Sequence, residues 1–172
     1  MPSGSPTPPF CVRRARISDV RAIKTLVDHY TGEVLLAKQL VTLYEDVQEF
    51  WVATDPEGVV VGCGALHVLW EDLAEIRTLA VAPPARGQGV GHLLVGRLVA
   101  LARELGLSRV FVLTFEERFF GRHGFVAING TPVTPDVYAE MRRSHDEGVA
   151  EFLDLSYVKP NTLGNTRMLL EL

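Results

Sequence analysis

The chain has 172 residues and a formal net charge of −4 at pH 7, from 17 Lys and Arg against 21 Asp and Glu; the length suits one domain with a real core. The 47% hydrophobic and 22% charged content is an ordinary globular mix, without the concentrated Lys/Arg face of a nucleic-acid binder. No apolar run reaches the roughly 18 residues of a membrane span, and the N-terminus has neither the charged nor the apolar region of a secretory signal.

Residues 1–10, rich in Pro, Ser and Gly, read as a disordered tail; residues 11–172 read as one domain without repeat or linker. Cys11 to Ala15 predicts a strand. Ser18-Asp19 is an N-cap pair for a helix whose apolar face is Val20, Ile23, Leu26 and Val27. Leu35 to Lys38 connects to a second helix over Leu40 to Val47. Phe50 to Ala53 and Val59 to Leu69 predict a hairpin around the turn Asp55-Pro56-Glu57-Gly58. Glu71-Asp72 then turns the chain into a strand from Ala74 to Val81. A glycine-rich loop follows, and then a helix with Leu93, Leu94, Leu98, Leu101, Ala102 and Leu105 on one side. Gly106 is its stop. Val110 to Thr114 is a continuous apolar run, hence a buried strand. Beyond it the pattern predicts a short helix over Glu117 to Arg122, a strand over Phe125 to Ile128, and a helix from Pro135 to Ser144 capped by Thr134. Two extended runs lie between Asp154 and Leu172. The alternation predicts an α/β (α+β) fold with a mixed central sheet flanked by helices. Cys11 and Cys63 have no metal-type spacing. Two reduced thiols, no metal and a cytoplasmic location are the expectation.

The richest stretch is Val81-Ala82-Pro83-Pro84-Ala85-Arg86-Gly87-Gln88-Gly89-Val90-Gly91. It joins a strand end to a helix start, where backbone N–H groups lack intrahelical partners and the helix dipole favours negative charge. Gly87, Gly89 and Gly91 have no Cβ, so a phosphate can approach the main chain closely. The physical reading is a pyrophosphate cradle; the bland alternative is a tight turn that binds nothing. A Walker loop is set aside because no Gly-Lys-Ser/Thr follows. The dinucleotide fingerprint is set aside because Gly87-x-Gly89-x-Gly91 has the wrong spacing.

Arg86-x-x-Gly89-x-Gly91 resembles the Arg/Gln-x-x-Gly-x-Gly/Ala signature of the GNAT N-acetyltransferases. Ala74 to Val81 is similar to their fourth strand, and Phe119-Phe120-Gly121-Arg122-His123-Gly124-Phe125 to a later motif. The resemblance implies acetyl-CoA as co-substrate, its pyrophosphate held by Arg86, Gly87, Gln88, Gly89, Val90 and Gly91. It implies that the main chain of Leu79, Ala80 and Val81 pairs with the pantetheine arm. Arg122 could contact the distal end of the cofactor or be a surface charge. Glu75 stands where some members place a catalytic glutamate. It is the candidate general base, with Glu71, Asp72, Glu116 and His67 as rivals. Many members carry a tyrosine as general acid where this chain has Phe120, so water, Tyr157 or direct thiolate departure takes that part. Phe119 and Phe125 read as core.

On the acceptor side, Leu35 to Lys38, Gly62-Cys63-Gly64-Ala65-Leu66, Phe111 to Thr114 and Asn165-Thr166-Arg167 resemble bacterial N-acetylglutamate synthases. The resemblance implies an amino-acid substrate, glutamate or glutamine, acetylated on its α-amine in arginine biosynthesis. Glutamate carries two carboxylates, so its pocket should hold fixed cations, and Lys38, Arg77 and Arg167 are those in the matching segments. Cys63 and Thr114 complete the acceptor-side set; Cys63 equally reads as a buried small residue. Larger synthases of that group bear an amino-acid-kinase-like domain that binds arginine; this chain has no room for one. A homodimer is carried as an expectation, without a sequence signal. The competing readings are an acetyltransferase for another amine or a protein N-terminus, and a non-catalytic acetyl-CoA-binding module.

Overall fold

The computed structural model describes residues 9–31, 35, 38–155 and 164–172. In chain order the elements are β1 (Cys11–Arg14), α1 (Val20–Tyr30), α2 (Leu40–Glu45), β2 (Phe50–Thr54), β3 (Val60–Trp70), β4 (Leu73–Val81) and α3 (Val90–Glu104). There follow β5 (Arg109–Thr114), α4 (Glu117–Gly121), β6 (Val126–Ala127), α5 (Pro135–Met141), α6 (Glu147–Phe152) and β7 (Thr166–Glu171). The strands form a seven-stranded sheet in the order β1-β2-β3-β4-β5-β7-β6. β4 and β5 run parallel, while β1–β2, β2–β3, β5–β7 and β6–β7 are antiparallel, so the expected mixed sheet with flanking helices is present. By packing the chain divides into two compact units, Met1–Leu66 with Ile76–Leu101, and His67–Glu75 with Ala102–Leu172.

In the first unit, α1 lays Val20, Ile23, Leu26, Val27 and Tyr30 into the core at helical spacing. They meet Leu43 of α2 and Phe50, Val52, Cys63, Ala65 and Ala80 of the sheet. Asp19 occupies the N-cap position of α1 but does not cap it. Its carboxylate takes 2.7 and 3.0 Å bonds from the Arg13 guanidinium and a 2.7 Å bond from the Arg16 N–H. A bidentate arginine offers a stronger partner than one helix N–H. β3 is thin where α3 crosses it. A Cβ on Gly62 would lie 2.9 Å from Val90 Cγ1 and 3.0 Å from Leu94 Cδ1.

In the second unit, Phe111 and Phe152 meet edge to face at 4.8 Å, within a core that includes Leu73, Met141, Val149 and Leu169. β5 pairs with β7 along its whole length, from Arg109↔Glu171 to Thr114↔Thr166. Thr134 caps α5, its hydroxyl accepting from the Val137 N–H at 3.4 Å, as expected. Helix α6 is an addition to the sequence expectation, capped by Asp146, which accepts from the Val149 N–H at 2.9 Å. Of the two extended runs expected near the C-terminus, β7 is one; the other, with Tyr157, lies outside the described residues, as do residues 1–8 of the expected tail. Among the described residues no helix is long and apolar enough to cross a membrane.

Candidate functional site

The glycine-rich loop leaves β4 through a short 3-10 turn, Pro83–Ala85, and enters α3 at Val90. Gly87 and Gly89 sit at φ 75° and 85°, a region L-residues rarely adopt. A Cβ on either would meet nothing within 4 Å. Glycine is thus required by the backbone, and the space above it is open. The first intrahelical bond runs from the Leu93 N–H to the Gly89 carbonyl at 3.1 Å. The N–H groups of Val90 and Gly91 precede it in the first turn, where a helix leaves its N–H groups without intrahelical partners. Gln88 closes the turn from the side, its Nε2 donating to the Pro84 carbonyl at 3.0 Å.

The loop is tied to the end of α1. The Tyr30 hydroxyl donates to the Val81 carbonyl at 2.5 Å and accepts from Arg86 Nε at 2.7 Å. The Arg86 guanidinium lies over the Tyr30 ring, 4.8 Å from its centroid, a favourable cation–π placement. Arg86 is otherwise exposed. Its partner was not among the residues singled out from sequence. Tyr30 looks like one more apolar-face position of α1, and its polar end meets residues 51 and 56 positions away.

A small, open cleft lies in the same unit. Lys38, Arg77, Asp46 and Glu49 line it with charge, and Leu43, Phe50, Ala65 and Thr78 supply the rest of the wall. Two expected acceptor-side cations, Lys38 and Arg77, are therefore brought together. Two carboxylates, Asp46 and Glu49, were not anticipated there. Arg77 is only 9% exposed and Lys38 is half-buried, so both act in a partly desolvated setting where charge counts for more than in water. Thr78 stands at φ 56°. A β-branched residue in that region is a backbone outlier. Its carbonyl accepts from the Cys63 thiol at 3.4 Å. Cys63 is fully buried, and burial pushes its thiol up to about 12, so it stays neutral and remains a donor. It presents no surface to a substrate; its contact is with the main chain of Thr78.

Leu79, Ala80 and Val81 end β4 in the first unit, and the remaining sequence-predicted residues belong to the second. Glu75 is 5% exposed within β4, a buried carboxylate and not a solubilising one at a strand end. Of its rivals, Glu71 and Glu116 are exposed and His67 is half-buried. Asp72 is engaged by Arg109 at 3.0 Å. Thr114 is buried, and its hydroxyl accepts from the Glu116 N–H at 2.8 Å, shaping the turn after β5. Arg122 is exposed just past α4. Arg167, expected to fork onto a substrate carboxylate, turns its donors elsewhere. It bonds the carbonyls of Phe152, Glu151 and Gly130 at 2.9, 3.1 and 3.2 Å and lies over Phe111. The physical reason is local. The chain turns at the end of α6 and at Gly130 bring three carbonyls within reach of one side chain, and a carbonyl oxygen has two lone pairs, so a guanidinium bonds all three at once. Phe120 is buried, with Phe119 and Phe125 around it at 5.0 and 5.3 Å, so this position holds core and no proton donor.

Residues 20–125 match the Acetyltransferase (GNAT) family. The chain belongs to the GNAT acetyltransferase family. It is 69% identical over 163 residues to an amino-acid acetyltransferase of Mycobacterium tuberculosis, with 94% of each chain covered. The crystal structure of Rv2747 from Mycobacterium tuberculosis in complex with CoA and NLQ superposes with a TM-score of 0.92 at 69% identity, covering 94% of this chain and 99% of that one. An N-acetylglutamate synthase from Neisseria gonorrhoeae, complexed with coenzyme A and N-acetyl-glutamate, gives a TM-score of 0.75 at 23% identity. It covers 95% of this chain and 35% of that one, a likeness of fold.

GNAT enzymes use acetyl-CoA as co-substrate, and the loop of this acetyltransferase suits a diphosphate. The open space over Gly87 and Gly89 is the volume that side chains would otherwise fill. The loop ends at the first turn of α3, and a helix N-terminus favours an anion.

Proposed function

We propose that this acetyltransferase transfers the acetyl group of acetyl-CoA to the α-amine of L-glutamate or L-glutamine, the first step of arginine biosynthesis, in the cytoplasm. The observation that carries the reading is the cleft in which Lys38 and Arg77 stand together. An amino acid needs at least one carboxylate held so that its amine points at the thioester. An arginine can hold a carboxylate in two places, and Lys38 supplies a point charge to the second carboxylate or side-chain amide. The relatives named for amino-acid acetylation support the same acceptor class.

In this reading Gly87, Gln88, Gly89, Val90 and Gly91 hold the pyrophosphate through their main chain, and Arg86 adds charge. The main chain of Leu79, Ala80 and Val81 pairs with the pantetheine arm. Glu75 takes the proton of the α-ammonium, directly or through one water, and the neutral amine attacks the thioester carbonyl carbon. The C–N bond forms, the C–S bond breaks, the thiolate of CoA departs, and the second proton lost by the amine nitrogen passes through solvent to the thiolate. Phe120 gives no proton to it.

Asp46 and Glu49 favour one competing acceptor, a polyamine or protein N-terminus, because carboxylates in the cleft suit a second positive charge. A thiol-release assay with acetyl-CoA across all amino acids, a polyamine set and N-terminal peptides separates the two. Glutamate or glutamine is expected to outrun every other acceptor in kcat/KM. Turnover of polyamines or peptides with no turnover of either amino acid would sink the reading.

A further inference from the structure

We infer that Tyr30 is a positioning residue for the cofactor: it acts through Arg86 to set the glycine-rich loop for the pyrophosphate. The inference rests on the reading of that loop given above. Tyr30 stands at the end of α1, far in sequence from the loop, and its side chain is 8% exposed. One hydroxyl makes two bonds that fix different parts of the loop. It donates at 2.5 Å to the carbonyl of Val81, the last residue of β4, which fixes where the loop departs. It accepts at 2.7 Å from Arg86 Nε. The ring beneath the guanidinium, 4.8 Å away, fixes the plane of the fork. Hydroxyl and ring face together hold Arg86 by Nε and by one face of its guanidinium. Among the described residues the Nη groups of Arg86 have no other hydrogen-bond partner, so they remain for an anion. Gly87, the next residue, begins the left-handed turn.

An arginine on an exposed loop would lose side-chain freedom on meeting a phosphate. Tyr30 imposes that restriction before the ligand arrives, and preorganisation of this kind strengthens binding without a new ligand contact. The tyrosine itself touches no reacting atom. Phenylalanine at this place keeps the ring under the guanidinium and removes both hydroxyl bonds.

The test is a double-mutant cycle with two donors, acetyl-CoA and S-acetyl-pantetheine, which lacks the pyrophosphate. Tyr30→Phe is expected to raise KM for acetyl-CoA about 10-fold, the scale of one hydrogen bond to a charged group. KM for the amino acid should stay near wild type, and the loss in kcat/KM with S-acetyl-pantetheine, which meets only the main chain that Tyr30 holds at Val81, should be clearly smaller than with acetyl-CoA. Arg86→Ala should cost acetyl-CoA a similar factor, and adding Tyr30→Phe to it should cost little more, because both changes remove one device. Equal losses with both donors would mean that Tyr30 serves the fold alone, which overturns the inference. Full additivity in the cycle, or an unchanged KM for acetyl-CoA in Tyr30→Phe, would overturn it as well. Gly89→Val separates this from failure of the underlying reading. If that variant keeps wild-type acetyl-CoA affinity, the loop is not the cradle; if it weakens binding while Tyr30→Phe does not, only the role of Tyr30 fails.

Discussion

Glu75, Lys38, Arg77 and Arg167 carry the sharpest consequences at the residue scale. Glu75→Gln should lower kcat by ~10²–10⁴-fold, the usual scale for losing a general base, with acetyl-CoA affinity nearly constant; calorimetry beside steady-state kinetics checks both. Lys38→Ala and Arg77→Ala should each raise KM for the amino acid by roughly 10- to 150-fold, equivalent to ~1.5–3 kcal/mol for a hydrogen bond to a charged group. Arg167→Ala should behave differently. Its donors bond the carbonyls of Phe152, Glu151 and Gly130, so removing them costs stability, ~1.5–3 kcal/mol for a hydrogen bond to a charged group. Thermal denaturation should register that loss before kinetics does. The contrast shows what a sequence conveys about a site. Residue type and segment nominated three cations, of which the cleft brings Lys38 and Arg77 together and Arg167 bonds backbone instead. Whether an arginine meets substrate or backbone depends on which carbonyls a distant turn brings within reach. No local pattern encodes that, and the same holds for Tyr30.

Elements explain why the glycines matter in different ways. Gly62 and Gly64 let α3 lie close on β3, and an added Cβ at Gly64 would sit 3.0 Å from Leu79 Cδ1 and 3.1 Å from Leu98 Cδ1. Those neighbours are buried or half-buried, so Gly62→Ala and Gly64→Ala should lower Tm, overpacking costing typically ~1–3 kcal/mol. Gly89→Val meets open space, and its cost is the left-handed backbone together with loss of acetyl-CoA binding. The join of β1 to α1 titrates. Arg13 beside Asp19 holds that carboxyl below the usual carboxylate range. A depressed folded pKa contributes stability above the unfolded value and loses it as pH falls through the folded one. Denaturant midpoints of wild type and Asp19→Asn should therefore differ at neutral pH and converge in acid; parallel curves down to strong acid would refute the assignment. The elements were largely legible, because hydrophobic period and turn residues are local: α1, β2, α3 and β5 fall within a residue or two of expectation. α6 was not, since its six residues include a glycine and give too short a period to read. Asp19 misled for a related reason. Asp is a good N-cap by type, but Arg13 on the preceding strand is the stronger partner.

For the whole molecule, CoA should act as a stabilising ligand. At a hundredfold excess over its Kd it should add ~2.7 kcal/mol to the folded state, read as a rise in denaturant midpoint that Gly89→Val loses. Family membership was legible because Arg86-x-x-Gly89-x-Gly91 is a backbone requirement written in residue types. The acceptor was less so, because it rests on charges gathered from the residue stretch before α2, the turn after it and β4. Thr78 sets the two demands on this protein against each other. Its left-handed backbone, at φ 56° in the cleft wall, costs the fold ~1–3 kcal/mol, and glycine there would relieve this while giving back only ~0.4–1 kcal/mol through a freer unfolded chain. Anyone selecting variants of this enzyme for heat tolerance alone should thus recover Thr78→Gly, and should find the survivors to be poorer catalysts.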